Sequence, residues 1–204
     1  MALSQRRVDA AIEPLDDATV RQATALPGWT VAHLLAHLAR NADSHRRRAR
    51  GAARGETVDQ YPGGYAGRAQ EIETDAGRPA AELVGDVIVS GELLTATWQS
   101  LPASAWGVVT RDVGGRELPL RELPCRRWQE LEIHLVDLGV GLTHREWSDD
   151  FVGVWLPRLR STLRSRLPPD APAPEPGTLD ERDELAWLFG RFRPQGLPEL
   201  PPWG

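Results

Sequence analysis

Apolar residues recur every three to four positions through several long stretches of this chain, the period of a helix with one buried face. In residues 31–50 the stripe is Val31, Leu34, Leu35, Leu38 and Ala42, and Thr30 precedes it at the N-cap position. In residues 79–100 it is Leu83, Val84, Val87, Ile88, Leu93 and Leu94, with Pro79 suited to the first turn. In residues 120–140 it is Leu120, Pro124, Trp128, Leu131, Leu135 and Leu138, ended by Gly141. Residues 3–25 predict another helix that stops near Pro14, then a short turn. Leu26-Pro27-Gly28 and residues 55–65 read as loops, residues 66–75 as a short helix, and residues 108–118 as a small hairpin around Val113-Gly114-Gly115.

Four long helices with single apolar stripes predict a mainly α fold, an antiparallel four-helix bundle over residues 1–145. The texture then changes. Residues 151–167 read as a helix, 168–177 as a Pro-rich linker and 180–190 as a helix, followed by an extended tail. Residues 146–204 are therefore expected to form a small C-terminal α+β domain or cap.

Composition narrows the partners. The net charge of -5 disfavours a nucleic-acid binder driven by its overall field. The run Arg46-Arg47-Arg48-Ala49-Arg50 reads as a solvated helix end. No apolar run reaches membrane-spanning length, and no signal peptide is visible. The one cysteine, Cys125, forbids an internal disulfide and fits a reducing cytoplasm. Every basic residue is arginine, which removes a Schiff-base lysine from consideration. With so much Ala, Gly and Pro, this composition points to a GC-rich genome. A monomer and a homodimer are both open.

Candidate chemistry lies on two of the helices. At 100° per residue, His37 falls on the flank of its apolar stripe, His33 falls opposite it toward water, and His45 returns to the apolar side. Glu130 and His134, four apart, share one flank of the helix over residues 120–140. Arg127 lies close by, Asp137 is placed to accept from His134, and Glu132 faces away. His37, Glu130 and His134 together could ligate one metal ion and leave a fourth position open, the mark of a catalytic zinc site. On spacing alone, the same residues also fit a solvated salt bridge and a core histidine.

Several segments resemble the mycothiol-dependent maleylpyruvate isomerase family of DinB-like metalloproteins. They are Leu26-Pro-Gly-Trp-Thr30 through His37-Leu-Ala-Arg-Asn-Ala-Asp43, Tyr61-Pro-Gly-Gly64 with Arg68 and Glu71-Ile72, and Gly77-Arg-Pro-Ala-Ala-Glu-Leu83 with Leu101-Pro102 and Trp106. Further along come Arg127, Glu130, His134 and Asp137-Leu138, then Trp187-Leu-Phe-Gly-Arg191 and Leu200-Pro-Pro-Trp203. The resemblance implies a DinB-like bundle with His37, Glu130 and His134 as ligands of zinc, although ligand type alone also admits nickel or iron. It implies mycothiol, the small thiol of actinobacteria, as cofactor, and a dicarboxylate or other electrophile as substrate. The implied reaction, in the gentisate pathway, turns maleylpyruvate into fumarylpyruvate by reversible thiolate addition across the cis double bond. Arginines suit the carboxylates and the enolate charge: Arg68 and Arg191 by resemblance, and Arg127 by its place beside Glu130. A mycothiol S-transferase and a non-catalytic metal-binding protein of the same fold are the alternatives.

Overall fold

Caps and glycines punctuate the helices. The computed structural model describes residues 2–169, 171, 174–175 and 177–200. The tail tryptophan Trp203 lies outside the described residues. Helix α1 (Ala2–Ile12) buries Ser4, Val8 and Ile12, one residue per turn. It ends before Pro14, and a separate turn, α2 (Asp17–Val20), starts where the Asp16 carboxylate accepts the Thr19 amide. Helix α3 (Val31–Ala53) begins with a capping box in which the third residue is His33. The Thr30 amide donates to His33 Nδ1 at 3.2 Å, and His33 Nε2 lies 3.2 Å from Glu73. His33 is thus a capping residue, not the solvent-facing one its helical position predicts.

Helix α4 (Gly64–Ala76) follows a sharp turn in which Gly63 and Gly64 adopt φ of +77° and +62°. A side chain is strained in that region, so Tyr61-Pro62-Gly63-Gly64 is a turn the sequence specifies. Helix α5 (Ala80–Gln99) uses Pro79 as its N-cap. Strands β1 (Val109–Arg111) and β2 (Glu117–Pro119) pair antiparallel, with Thr110 opposite Leu118. The helix expected from residue 120 opens with a 3-10 turn, Leu120–Glu122, before α6 (Leu123–Asp137). Helices α7 (Asp149–Arg166) and α8 (Glu181–Leu188) are N-capped by Ser148 and Asp180.

The chain forms two compact units, Met1–Val140 and Gly141–Gly204. In the first, α3 is central and packs on α4, α5 and α6, while α1 packs on α5 and α6. Ala42, Ala49 and Ala52 of α3 meet Leu94 and Trp98 of α5. Small residues on one helix let the other approach closely. Buried Glu132 of α6 accepts from Ser4 Oγ at 2.5 Å and Arg7 Nη1 at 2.8 Å, which ties α1 to α6. Arg40 of α3 reaches Asp75 at 3.3 Å and Asp86 at 2.6 Å, joining α3 to α4 and α5.

The second unit is built on aromatic contacts among Trp147, Phe151, Trp155 and Phe189. Arg160 of α7 grips Glu184 of α8 with two hydrogen bonds. Among its described residues this unit has helices and no strand, so the α+β character expected there is not found. Pro194 and Pro198 in the tail lack the amide donors a strand ladder needs.

A methyl group at Gly67 would sit 1.8 Å from the Pro62 carbonyl oxygen, and backbone cannot rotate away. Gly67→Ala should cost about 1–3 kcal/mol, a Tm lowered by roughly 2–10 °C. Gly85, in helix α5 with open space around it, is the control: Gly85→Ala should be neutral or raise stability by up to about 1 kcal/mol. Thermal melts of the two variants check both, and an unchanged Tm for Gly67→Ala would contradict the packing.

Candidate metal centre

The second turn of α3 and the third and fourth turns of α6 bring three side chains together. His37 Nε2 lies 2.9 Å from Glu130 Oε2, and His134 Nε2 lies 3.2 Å from the same oxygen. The two imidazoles stand edge to face with ring centroids 4.9 Å apart. One ligand atom from each of the three lies within 4.8 Å of the others. A tetrahedral ion with ligands at about 2.0 Å needs edges near ~3.3 Å, and two imidazoles with a carboxylate are a donor set that zinc accepts. The residues fit such an ion. Both histidines are buried, whereas the Glu130 side chain keeps 22 % of its exposure, so the carboxylate is where the group meets solvent.

The surroundings set the charge states. Burial pushes the His37 imidazole down to about 4, and the bond to Glu130 only partly offsets it. His37 Nδ1 faces a guanidinium nitrogen of Arg68 at 3.2 Å. A guanidinium only donates, so Nδ1 accepts, and the proton of neutral His37 sits on Nε2 toward Glu130. For His134, burial acts downward, but hydrogen bonds to Asp137 and Glu130 outweigh it and the net shift is upward. His134 Nδ1 donates to Asp137 Oδ2 at 2.9 Å, which orients the ring. Burial would raise Glu130, yet its bonds to His134 and His37 hold it well below the usual carboxylate range. The Trp29 indole packs 5.5 Å from the His37 ring, and the Arg68 guanidinium lies 5.6 Å over that indole.

The predicted arginines part company here. Arg68 of α4 is half-buried beside His37. Arg127 is 1 % exposed and committed to the scaffold. Its Nη1 donates to the Leu38 carbonyl and to Asn41 Oδ1, both at 2.9 Å, and its Nη2 donates to Gln5 Oε1 at 3.2 Å. Instead of the carboxylate contact expected from its place in sequence, Arg127 is a brace, because a step of one residue from the ligand face turns it into the core. Arg191 belongs to the second unit, where its Nη1 donates to the Phe189 carbonyl at 2.8 Å. His45 is buried against Trp98, and Cys125 is half-buried. Sequence reasoning missed Trp29 and Tyr61 as neighbours of the centre. Trp29 lies just before α3, which bears His37, and Tyr61 just before α4, which bears Arg68, and only those positions hinted at a role.

The family described as mycothiol maleylpyruvate isomerase N-terminal domain matches residues 1–139. The chain belongs to this family. Among solved structures it is similar to the mycothiol-dependent maleylpyruvate isomerase, with a TM-score of 0.85 at 22 % identity over 99 % of this chain and 93 % of that one. A histidine-to-alanine mutant of that isomerase superposes with a TM-score of 0.84 at the same identity and coverage. At this identity the likeness concerns the fold, here the DinB-like helical architecture. No curated protein matches. No helix among the described residues is long and apolar enough to cross a membrane.

These charge states set how metal affinity depends on pH. At neutral pH, His37 is already neutral and Glu130 ionised, so ligation through His37 Nε2 would only shift its proton to Nδ1, and the proton released to solvent comes from His134, whose affinity for it is raised. Apparent affinity should therefore rise about ten-fold per pH unit below the His134 pKa and flatten above it. Asp137→Asn removes one upward contribution and should move that midpoint to lower pH, while weakening binding by roughly 10–100-fold. Calorimetric zinc titrations across pH test this, and a midpoint unmoved in Asp137→Asn would refute the assignment.

Proposed function

We propose that this chain is a zinc-dependent, mycothiol-dependent maleylpyruvate isomerase of the cytoplasm, with His37, Glu130 and His134 as metal ligands. The observation that carries this reading is the convergence of those three side chains within a domain of the isomerase family. When bound there, a divalent ion supplies a Lewis acid with an open position, able to keep a thiol ionised at neutral pH. A thiol added to the cis double bond leaves a single bond that can rotate, and its departure leaves the trans isomer.

The chain's own residues supply the rest. Burial and hydrogen bonding hold His37 neutral and Glu130 ionised, the states ligation requires. Asp137 keeps a proton on His134 Nδ1 and so directs Nε2 to the ligand side. Among the described residues Arg68 has no ion-paired carboxylate of its own, and it stands beside His37 and partly open to solvent. It is assigned to a substrate carboxylate or the developing enolate oxygen. Arg191 is assigned a similar task on the resemblance that selected it, and Arg127 a positioning one. Cys125 has no part, because the adding sulfur comes from the cofactor.

His37→Ala and His134→Ala should each lose most of the bound metal, whereas His33→Ala should keep it and lose only part of its capping stability, about 1 kcal/mol. Metal analysis decides this, and full occupancy in His37→Ala would sink the ligand set. Maleylpyruvate turnover should require added mycothiol and survive Cys125→Ser. Arg68→Ala and Arg191→Ala should lower catalytic efficiency by about one to two decades with metal content unchanged, the worth of one charged hydrogen bond. Turnover without thiol that vanishes in Cys125→Ser would overturn the mechanism. Conjugation of mycothiol to an electrophile, with no fumarylpyruvate formed, would make the chain an S-transferase.

A further inference from the structure

The run Arg46-Arg47-Arg48-Ala49-Arg50, expected at a solvated helix end, divides by depth: Arg48 is buried, Arg46 and Arg47 are half-buried, and Arg50 is exposed. The three outer arginines line a cleft of about 820 Å³ between α3 and α4, closed at one point by Pro62 of the turn that precedes α4. From α3 the same wall carries Arg40, Asp43 and Arg54. At 100° per residue the centre of this stripe falls roughly 110° round α3 from His37, so the cleft lies on another face of the helix than the metal centre.

The two ends of the cleft differ in charge. At one end Arg40 is fully matched, reaching Asp43 at 3.2 Å, Asp75 at 3.3 Å and Asp86 at 2.6 Å. Toward the other end Arg47 donates to the Gln60 carbonyl and Arg54 pairs with Glu56. Arg47 keeps a buried Nε without an acceptor. The Arg46 and Arg50 side chains make no hydrogen bond or ion pair among the described residues. A guanidinium has five N–H donors, so this end gathers unmet donors and positive charge in a chain whose net charge is -5. From α4, Gln70, Glu71 and Thr74 line the same cleft with side chains that are likewise unengaged among the described residues.

We propose that this cleft is a second ligand site, separate from the metal centre, that binds a sugar phosphate: the phosphate on Arg46, Arg47 and Arg50, the hydroxyls on Gln70, Glu71 and Thr74. A phosphate monoester carries nearly two charges and three acceptor oxygens, which suits guanidinium forks from neighbouring turns. Arg46 and Arg50 stand four residues apart, about 6 Å along the helix, so one phosphate can engage both. An amide, a carboxylate and a hydroxyl together supply the donors and acceptors that sugar hydroxyls need. Asp43 and Asp75 at the far end repel a ligand charged along its whole length. The cleft therefore selects a molecule with its charge at one end over an extended polyanion such as an acidic peptide. Its size is that of a small-molecule site.

Glucose 6-phosphate, inorganic phosphate and glucose are the probes, titrated into the full-length metal-loaded protein with binding followed by calorimetry. Glucose 6-phosphate should bind about ten-fold more tightly than inorganic phosphate, and glucose alone should not bind. Arg46→Gln and Arg50→Gln should each weaken glucose 6-phosphate by about ten-fold with far-UV circular dichroism unchanged. Arg6→Gln, the same change of charge at an exposed position of α1, should leave its affinity within about two-fold. Glu71→Ala removes a hydroxyl partner and a charge that repels phosphate, so the preference for glucose 6-phosphate over inorganic phosphate should fall by about three-fold or more. His134→Ala, depleted of metal, should bind glucose 6-phosphate as the parent does. Loss of binding in His134→Ala would put the phosphate on the metal and overturn the cleft. No binding of glucose 6-phosphate, an equal loss in Arg6→Gln, or tighter binding of a hexa-aspartate peptide would each overturn it as well.

Discussion

Arg127 rides on α6 and donates to the Leu38 carbonyl and Asn41 side chain of α3, and this cross-brace fixes the two helices just below the ligand group. A further bond to Gln5 brings α1 into the same joint. Burial lowers its pKa to about 10, so the guanidinium stays charged at neutral pH. A charge kept this deep is tolerated because its two terminal nitrogens meet fixed acceptors and Glu130 lies nearby. The distances at the centre, 2.9 and 3.2 Å, depend on how far apart and at what rotation α3 and α6 sit. A side chain that grips the backbone of one helix from the other controls both.

Around that brace the scaffold removes freedom from the reactive group. The capping box at Thr30 and His33 fixes where α3 starts, hence the level of His37. Asp137 fixes the ring of His134. Glu132, facing the other way on α6, holds α1 through Ser4 and Arg7 and so sets the helix's rotation from behind. Preorganisation of this kind is what a metal site needs, since a ligand a fraction of an ångström out of place loses affinity. The charge states agree with it: the carboxylate is ionised and one imidazole is neutral before any ion is considered.

The two flanks of the group differ in kind. On the His37 side, Trp29 and Arg68 make a partly exposed aromatic and cationic wall. On the Glu130 side, Arg126, one helical turn away, keeps 35 % of its exposure.

Much of this was legible in the sequence by itself. The 3.6-residue period marked out the long helices, and their flanks singled out His37, Glu130 and His134, since helical geometry alone places residues four apart on one face. Asp137 followed from the same rule. Element ends were less legible where local chemistry competed: His33 became a cap because its ring nitrogen could take the Thr30 amide, and residues 120–122 took a 3-10 turn. What only the tertiary structure decided was which side of each ligand-bearing helix faces its partner. Arg126 and Arg127 are adjacent and chemically identical in the sequence, but packing of α6 on α3 and α1 buries one and leaves the other at the solvent edge. A helical wheel fixes angles within one helix. The rotation of that helix against its neighbours comes from long-range contacts, Arg127 with Asn41 and Glu132 with Ser4, that no local pattern records.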